Sequence, residues 1–233
     1  MIRAILFDLD GTLLPMDQDI FIKAYFGGLT KKMISYYQPT ELINAIWTGT
    51  MAMVKNDGSM TNEDRWWQSF CSTYGADARA REGELEDFYK NEFEAVRGVC
   101  GFAPQSREII DLCKQGGFRV VLATNPIFPA VATRARIRWA GLEWDDFELV
   151  TTYENSSYCK PNPDYYREIL KKIGLDASEC VMVGNDVHED MIASSLGMRV
   201  FLLTDCMINK ENESIDKYPH GSFTELAEFI RSI

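Results

Sequence analysis

The chain has 233 residues, with 24 Lys+Arg against 35 Asp+Glu and a net charge of −11. With 46% apolar and 25% charged residues it can bury a real core, which excludes disorder, and the acidic balance argues against a nucleic-acid partner. An anionic substrate would have to be held locally, by a metal or a few placed cations.

The length admits one large α/β domain, or a core of ordinary size with a smaller second unit. Short apolar runs followed by amphipathic stretches give the rhythm of βαβ units and a parallel sheet. Strands are predicted at Arg3–Phe7, Phe118–Ala123, Glu148–Thr151, Cys180–Val183 and Arg199–Leu203. Helices are predicted at Gln105–Gln115, Phe128–Ala140, Pro163–Ile173, Glu189–Leu196 and Phe223–Ser232, several of them followed by glycine where a left-handed cap is expected. Between Met16 and Arg97 there is no β-like run. Apolar residues there recur at helical spacing, as in Leu42, Ile46 and Met53 or Trp66, Phe70 and Tyr74. The expectation is an α/β core formed by 1–15 and 98–233, interrupted by an all-helical cap over 16–97.

The six cysteines, Cys71, Cys100, Cys113, Cys159, Cys180 and Cys206, include no C-x-x-C pair, so reduced thiols are expected rather than a zinc site or disulfides. The N-terminal apolar run is too short for a signal sequence, and no stretch approaches a membrane span. A cytoplasmic location is expected. Asn155-Ser-Ser157 and Asn212-Glu-Ser214 are then chance glycosylation sequons.

In an open parallel sheet ligands bind at the carboxyl ends of the strands, and four polar clusters follow predicted strands. Asp8-Leu-Asp10-Gly-Thr12 comes first. Alternation along an extended segment lets Asp8 and Asp10 face one site, and two such carboxylates are tolerable mainly beside a divalent cation or with one acid protonated. A solvated turn would use the same residues. Thr124-Asn125 brings a hydroxyl and an amide to a strand end, as an anion site or simply as a turn before Pro126. Lys160-Pro-Asn-Pro163 stiffens the approach of one ammonium group, or is a plain loop. Gly184-Asn185-Asp186-Val-His-Glu-Asp190 offers oxygen donors suited to Mg²⁺, although acids there would also complement a helix N-terminus.

In this order and at these strand ends, the four clusters closely resemble the haloacid dehalogenase superfamily, Asp-Leu-Asp-Gly-Thr-Leu being the most specific match. The resemblance spans the whole chain. It implies a Rossmann-like parallel core, a cap inserted after the first cluster and a Mg²⁺-dependent phosphatase acting on a small phosphorylated metabolite, with no nucleic acid or membrane involved. Asp8 would be the nucleophile that forms an aspartyl-phosphate, and Asp10 the general acid and then base. Mg²⁺ would sit on Asp8, the Asp10 carbonyl and a side chain of the fourth cluster, while Thr124, Asn125 and Lys160 would hold phosphoryl oxygens. Many relatives carry Gly-Asp where this chain has Gly184-Asn185, so Asp186 is the favoured ligand and Asn185 the alternative. Asp190 is expected to pair with Lys160 and orient it. Dehalogenating relatives lack an acid at the Asp10 position, so its presence favours phosphoryl transfer. A phosphomutase, or a binding protein that lost catalysis, are the rival readings. Met16, Asp17, Asp19, Phe21 and Tyr25 are the first candidates for substrate contact. Trp47, Trp66, Trp67 and the methionines at 33, 51, 53 and 60 are better explained by helix packing. His188 and His220 are expected to be bystanders.

Overall fold

A computed structural model describes residues 1–233. Six parallel strands form one sheet in the order β3-β2-β1-β4-β5-β6. They are β1 (Ala4–Phe7), β2 (Arg119–Leu122), β3 (Leu149–Val150), β4 (Cys180–Gly184), β5 (Arg199–Leu203) and β6 (His220–Gly221). The central β1 pairs with β2 on one side and β4 on the other, with Phe7 level with Leu122 and Val183. The residues that follow these three strands therefore emerge side by side. β6 was not anticipated: its two residues carry no apolar run, and they join the edge only through Leu202 and Leu203.

Side-chain alternation divides the core by sheet face. Ile5, Phe7, Val120, Leu122, Val181 and Val183 pack into one cluster. Ala4, Leu6, Val121, Ala123, Cys180 and Met182 pack into the other. Helices α5 (Gln105–Gln115), α6 (Ala130–Trp139) and α8 (Phe223–Arg231) cover the first face, and α7 (Pro163–Ile173) the second. The helix predicted from Phe128 starts later because Pro129 is extended and serves as its N-cap. Instead of the helix predicted from Glu189, a 3₁₀ turn spans Met191–Leu196, because the Asp186 carboxylate first caps the N–H groups of His188 and Glu189 in a separate turn.

From Gln18 to Val99 the chain contributes no strand. It forms α1 (Gln18–Met33), α2 (Pro39–Val54), α3 (Asn62–Tyr74) and α4 (Glu82–Lys90), with 3₁₀ segments at Ala76–Arg81 and Glu92–Val99. Phe21, Tyr25, Leu29, Phe88 and Phe93 join the first apolar cluster, so these helices and that face of the sheet share one core. A polar tether adds to it. Asn62, wholly buried at the start of α3, donates to the carbonyls of Pro126 and Tyr158, and its N–H bonds the Ser156 carbonyl.

Candidate active site

The site begins where β1 ends. Asp8 N–H still bonds the Val183 carbonyl, which holds the residue at the strand tip. Beyond it the chain reverses: Thr12 N–H and Leu14 N–H both return to the Leu9 carbonyl. Gly11 makes the reversal possible with a φ of 84°, and a Cβ there would lie 2.4 Å from the Asn185 side chain. The first turn is thus seated against the fourth cluster.

Asp8 is buried, with Oδ1 accepting from Lys160 Nζ at 2.8 Å and Oδ2 from Thr12 Oγ1 at 3.3 Å. Lys160 Nζ also donates to Asp190 Oδ1 at 2.6 Å, and Asp190 Oδ2 accepts the Asp186 N–H at 2.9 Å. Both side chains of the Lys160–Asp190 pair are 1% exposed. Gly184 leaves the space for it, since a Cβ there would stand 2.1 Å from Asp190 Oδ2. Burial by itself would lower the Lys160 ammonium, but Asp190 and Asp8 outweigh it and raise its pKa well above the usual value. Burial pushes the Asp8 carboxyl up to about 7 against the pull of Lys160, and the nearby Asp190 and Asp10 add to the rise.

Asp10 is held from a direction the sequence reading missed. Arg136, on α6 and 1% exposed, donates through Nη1 to Asp10 Oδ2, while its Nη2 donates to Thr133 Oγ1 and its guanidinium lies 4.5 Å over the Phe128 ring. The remaining oxygen, Asp10 Oδ1, is buried without a hydrogen-bond partner. Burial raises the Asp10 pKa, with Arg136 and then Lys160 opposing the rise. A signal for Arg136 was available, since helical spacing places it on the stripe of Ala132, Ala135, Trp139 and Ala140. An arginine on the apolar face of a helix needs a buried acid.

Thr124 and Asn125 follow β2. The Thr124 carbonyl accepts from Thr151 Oγ1 at 2.6 Å and from Tyr165 Oη at 2.9 Å. The Asn125 side chain is occupied on both sides, donating to Glu189 Oε2 at 3.1 Å and accepting from Lys160 N–H at 3.3 Å. The backbone N–H groups of Leu9, Asp10 and Asn125 donate to no protein acceptor. Glu189 therefore faces the site rather than merely complementing a helix end, and burial raises its carboxyl to about 7 against the pull of Lys160.

In the fourth cluster the two candidate ligands differ in what binds them. Asn185 Oδ1 accepts from Thr12 Oγ1 at 3.0 Å, the hydroxyl that also reaches Asp8, and its Nδ2 donates to the Cys206 carbonyl at 2.7 Å. Asp186 uses Oδ1 for the turn that caps His188 and Glu189, which leaves Oδ2 unused. No three His, Cys, Asp or Glu side chains form a ready metal cluster. Five carboxylates, Asp8, Asp10, Asp186, Glu189 and Asp190, nonetheless line one cavity, and the cations paired with them, Lys160 and Arg136, are buried behind its wall. A hard dication that takes one or two carboxylates, a backbone carbonyl and waters suits this donor set.

The cavity, about 220 Å³, extends from these acids into the helical segment. Of the residues expected to contact substrate, Met16, Phe21 and Tyr25 line it. Asp17 and Asp19 do not: Asp17 caps α1, and both are exposed. Trp47, Trp66 and Trp67, assigned to packing from their spacing, stand on its wall as well, whereas the four methionines do not. His188 and His220 lie outside it.

A family defined as haloacid dehalogenase-like hydrolase matches residues 2–195. Pyrophosphatase PpaX of Bacillus velezensis is 25% identical over 198 residues, 85% of this chain and 81% of that protein. Hexitol phosphatase B of Escherichia coli is 34% identical over 118 residues, 49% of this chain and 50% of its own length. Among solved structures, a 2-haloacid dehalogenase from Pseudomonas syringae superposes with a TM-score of 0.65 at 20% identity, covering 100% of this chain and 99% of that one.

Proposed function

The chain belongs to the haloacid dehalogenase-like hydrolases and is a phosphatase of that family; from that premise we propose that it hydrolyses a small phosphorylated metabolite through an aspartyl-phosphate on Asp8, with Mg²⁺ as cofactor. The observation that carries this reading is the Asp8 carboxylate, held at a strand tip by the buried ammonium of Lys160.

Asp8 attacks phosphorus, a new O–P bond forms, and the bond to the leaving oxygen breaks. Asp10 gives that oxygen its proton, and in the second step takes a proton from the water that displaces phosphate from Asp8. Arg136 fixes the Asp10 carboxyl through one oxygen and leaves the other, Oδ1, for proton transfer. Lys160 has a third N–H beyond those given to Asp8 and Asp190, and this proton is available to a phosphoryl oxygen. The free N–H groups of Leu9, Asp10 and Asn125 support an anion cradle beside it, together with the Thr124 hydroxyl.

Mg²⁺, when bound, screens the anionic nucleophile from the anionic phosphate and polarises the P–O bond. Asp8 and the Asp10 carbonyl are its proposed ligands, with Asp186 through its unused oxygen. The Thr12 hydroxyl shared with Asp8 makes Asn185 Oδ1 the competing donor. The helical segment is proposed as a cap over the cavity, and the whole reaction is assigned to the cytoplasm. No helix is long and apolar enough to cross a membrane.

The test is phosphate release from p-nitrophenyl phosphate. Wild type is expected to require Mg²⁺, and Asp8→Asn to lose all measurable turnover. An Asp8→Asn protein as active as wild type defeats the covalent mechanism. Accumulation of a sugar phosphate isomer without free phosphate would instead point to a mutase.

A further inference from the structure

The cavity has two chemically different ends. At the strand tips it offers the acids already described. Toward the helical segment its wall is aromatic, with Phe21, Tyr25, Trp47, Trp66, Phe128 and Tyr153 among the lining residues. Not one Lys, Arg or His lines any part of it. The charged groups that the helical segment adds are Glu82 and Glu86, one turn apart on α4. Their cationic neighbours, Arg79 at 3.7 Å from Glu82 and Lys90 at 2.8 Å from Glu86, are not lining residues. The two buried cations lie at the strand-tip end, where Lys160 pairs with Asp8 and Asp190 and Arg136 with Asp10, so neither serves the far end of the cavity.

We propose that the substrate is a phosphate monoester whose leaving group is aromatic and carries no second anionic group. This deepens the phosphatase reading and rests on it. A second phosphate or a carboxylate on the leaving group would lose water against the aromatic wall with no cation lining the cavity to receive it, and Glu82 and Glu86, although half exposed and paired, add no positive charge there, so its productive binding is weakened. A planar ring would exchange water for aromatic faces and edges along the wall. An apolar cavity of about 150 Å³ accepts benzene, so about 220 Å³ takes a ring together with the phosphoryl group.

Benzyl phosphate, 4-(aminomethyl)benzyl phosphate and 4-carboxybenzyl phosphate share one benzylic leaving oxygen and differ in the charge of the para substituent. With Mg²⁺ present, kcat/KM for the carboxy compound is expected to fall about 100-fold below that for benzyl phosphate, through KM, while the aminomethyl compound stays within about tenfold of it. Glu86→Lys is expected to narrow the gap between the carboxy compound and benzyl phosphate by about tenfold. A carboxy compound turned over as well as benzyl phosphate overturns the proposal, as does a gap that Glu86→Lys leaves unchanged. Acetyl phosphate, too small to reach the aromatic wall, separates the two levels. If it is hydrolysed by wild type and not by Asp8→Asn while no benzyl ester is a substrate, only the substrate class falls. If neither it nor any ester releases phosphate, the phosphatase reading falls too.

Discussion

The two ends of one cavity follow opposite rules for charge. At the strand tips every carboxylate that matters is gripped: Asp8 by Lys160 and Thr12, Asp10 by Arg136, Asp190 by Lys160 and the Asp186 N–H. Along the helical segment the wall is apolar, and its acids pair outward. The difference teaches where rigidity is needed. Transferring a phosphoryl group requires fixed charges at fixed places, whereas accepting a leaving group requires shape and the absence of a wrong charge.

Removing the central cation should break the contrast most severely. In Lys160→Met, Asp8 and Asp190 are left buried and unpaired, and the fold is expected to lose about 3–5 kcal/mol, read as a shift in the urea midpoint, along with phosphatase turnover. Arg136→Met strands only Asp10, whose side chain is 20% exposed, and a loss of about 2–3 kcal/mol is expected. In steady-state kinetics it should lower kcat more than it changes KM, because Asp10 loses its fixed orientation. An unchanged kcat would mean that Arg136 serves packing alone. Gly184→Ala places a methyl group where Asp190 now lies, and about 1–2 kcal/mol should be lost in thermal unfolding as that carboxylate shifts. If Tm and turnover both stay at the wild-type value, the close packing under Lys160 is not required.

The smallest effect separates burial from pairing. Glu189 has its pKa raised to about 7 by burial, so in the metal-free protein its contribution to stability is complete below the unfolded-state value near 4.5 and is lost as pH rises through about 7. Glu189→Gln keeps the shape and removes the titration. Its Tm, measured without metal, should therefore gain on the wild type between pH 5 and pH 8, by about 1–3 °C. A variant whose Tm runs parallel to wild type over that window would show that Glu189 remains ionised throughout.

Most of the strand-tip end was legible because its information is local. Asp8 and Asp10 follow an apolar run, and each of the other clusters does the same after its own strand, so periodicity alone brings Asp8, Thr124 and Asn185 near one another once the sheet is parallel. The pairing of Lys160 with Asp190 was likewise expected. Arg136 was missed because it stands in Arg134-Ala-Arg136-Ile-Arg138, between two exposed arginines on the opposite side of the helix, and only the stripe of small and apolar neighbours sets it apart from them. Trp47, Trp66 and Trp67 were assigned to packing for a sound reason, since helical spacing does identify an inward face. Spacing cannot distinguish a face that meets another helix from one that meets a cavity. Trp66 does both, lying so close to Gly49 of α2 that a Cβ there would stand 2.6 Å from its ring, while lining the cavity. The 3₁₀ turn at Met191 was illegible for another reason: the Asp186 side chain captures two N–H groups that a regular helix would have used.

One detail behind β2 bears on how steady such a site can be. The Thr124 carbonyl and the Asn125 N–H are opposite poles of a single trans amide plane. Two hydroxyls, from Thr151 and Tyr165, clasp the oxygen pole from the rear, so rotating that plane would break both clasps together. The nitrogen pole consequently keeps its aim before any guest arrives, and donation to the oxygen behind it polarises the amide and sharpens its positive tip.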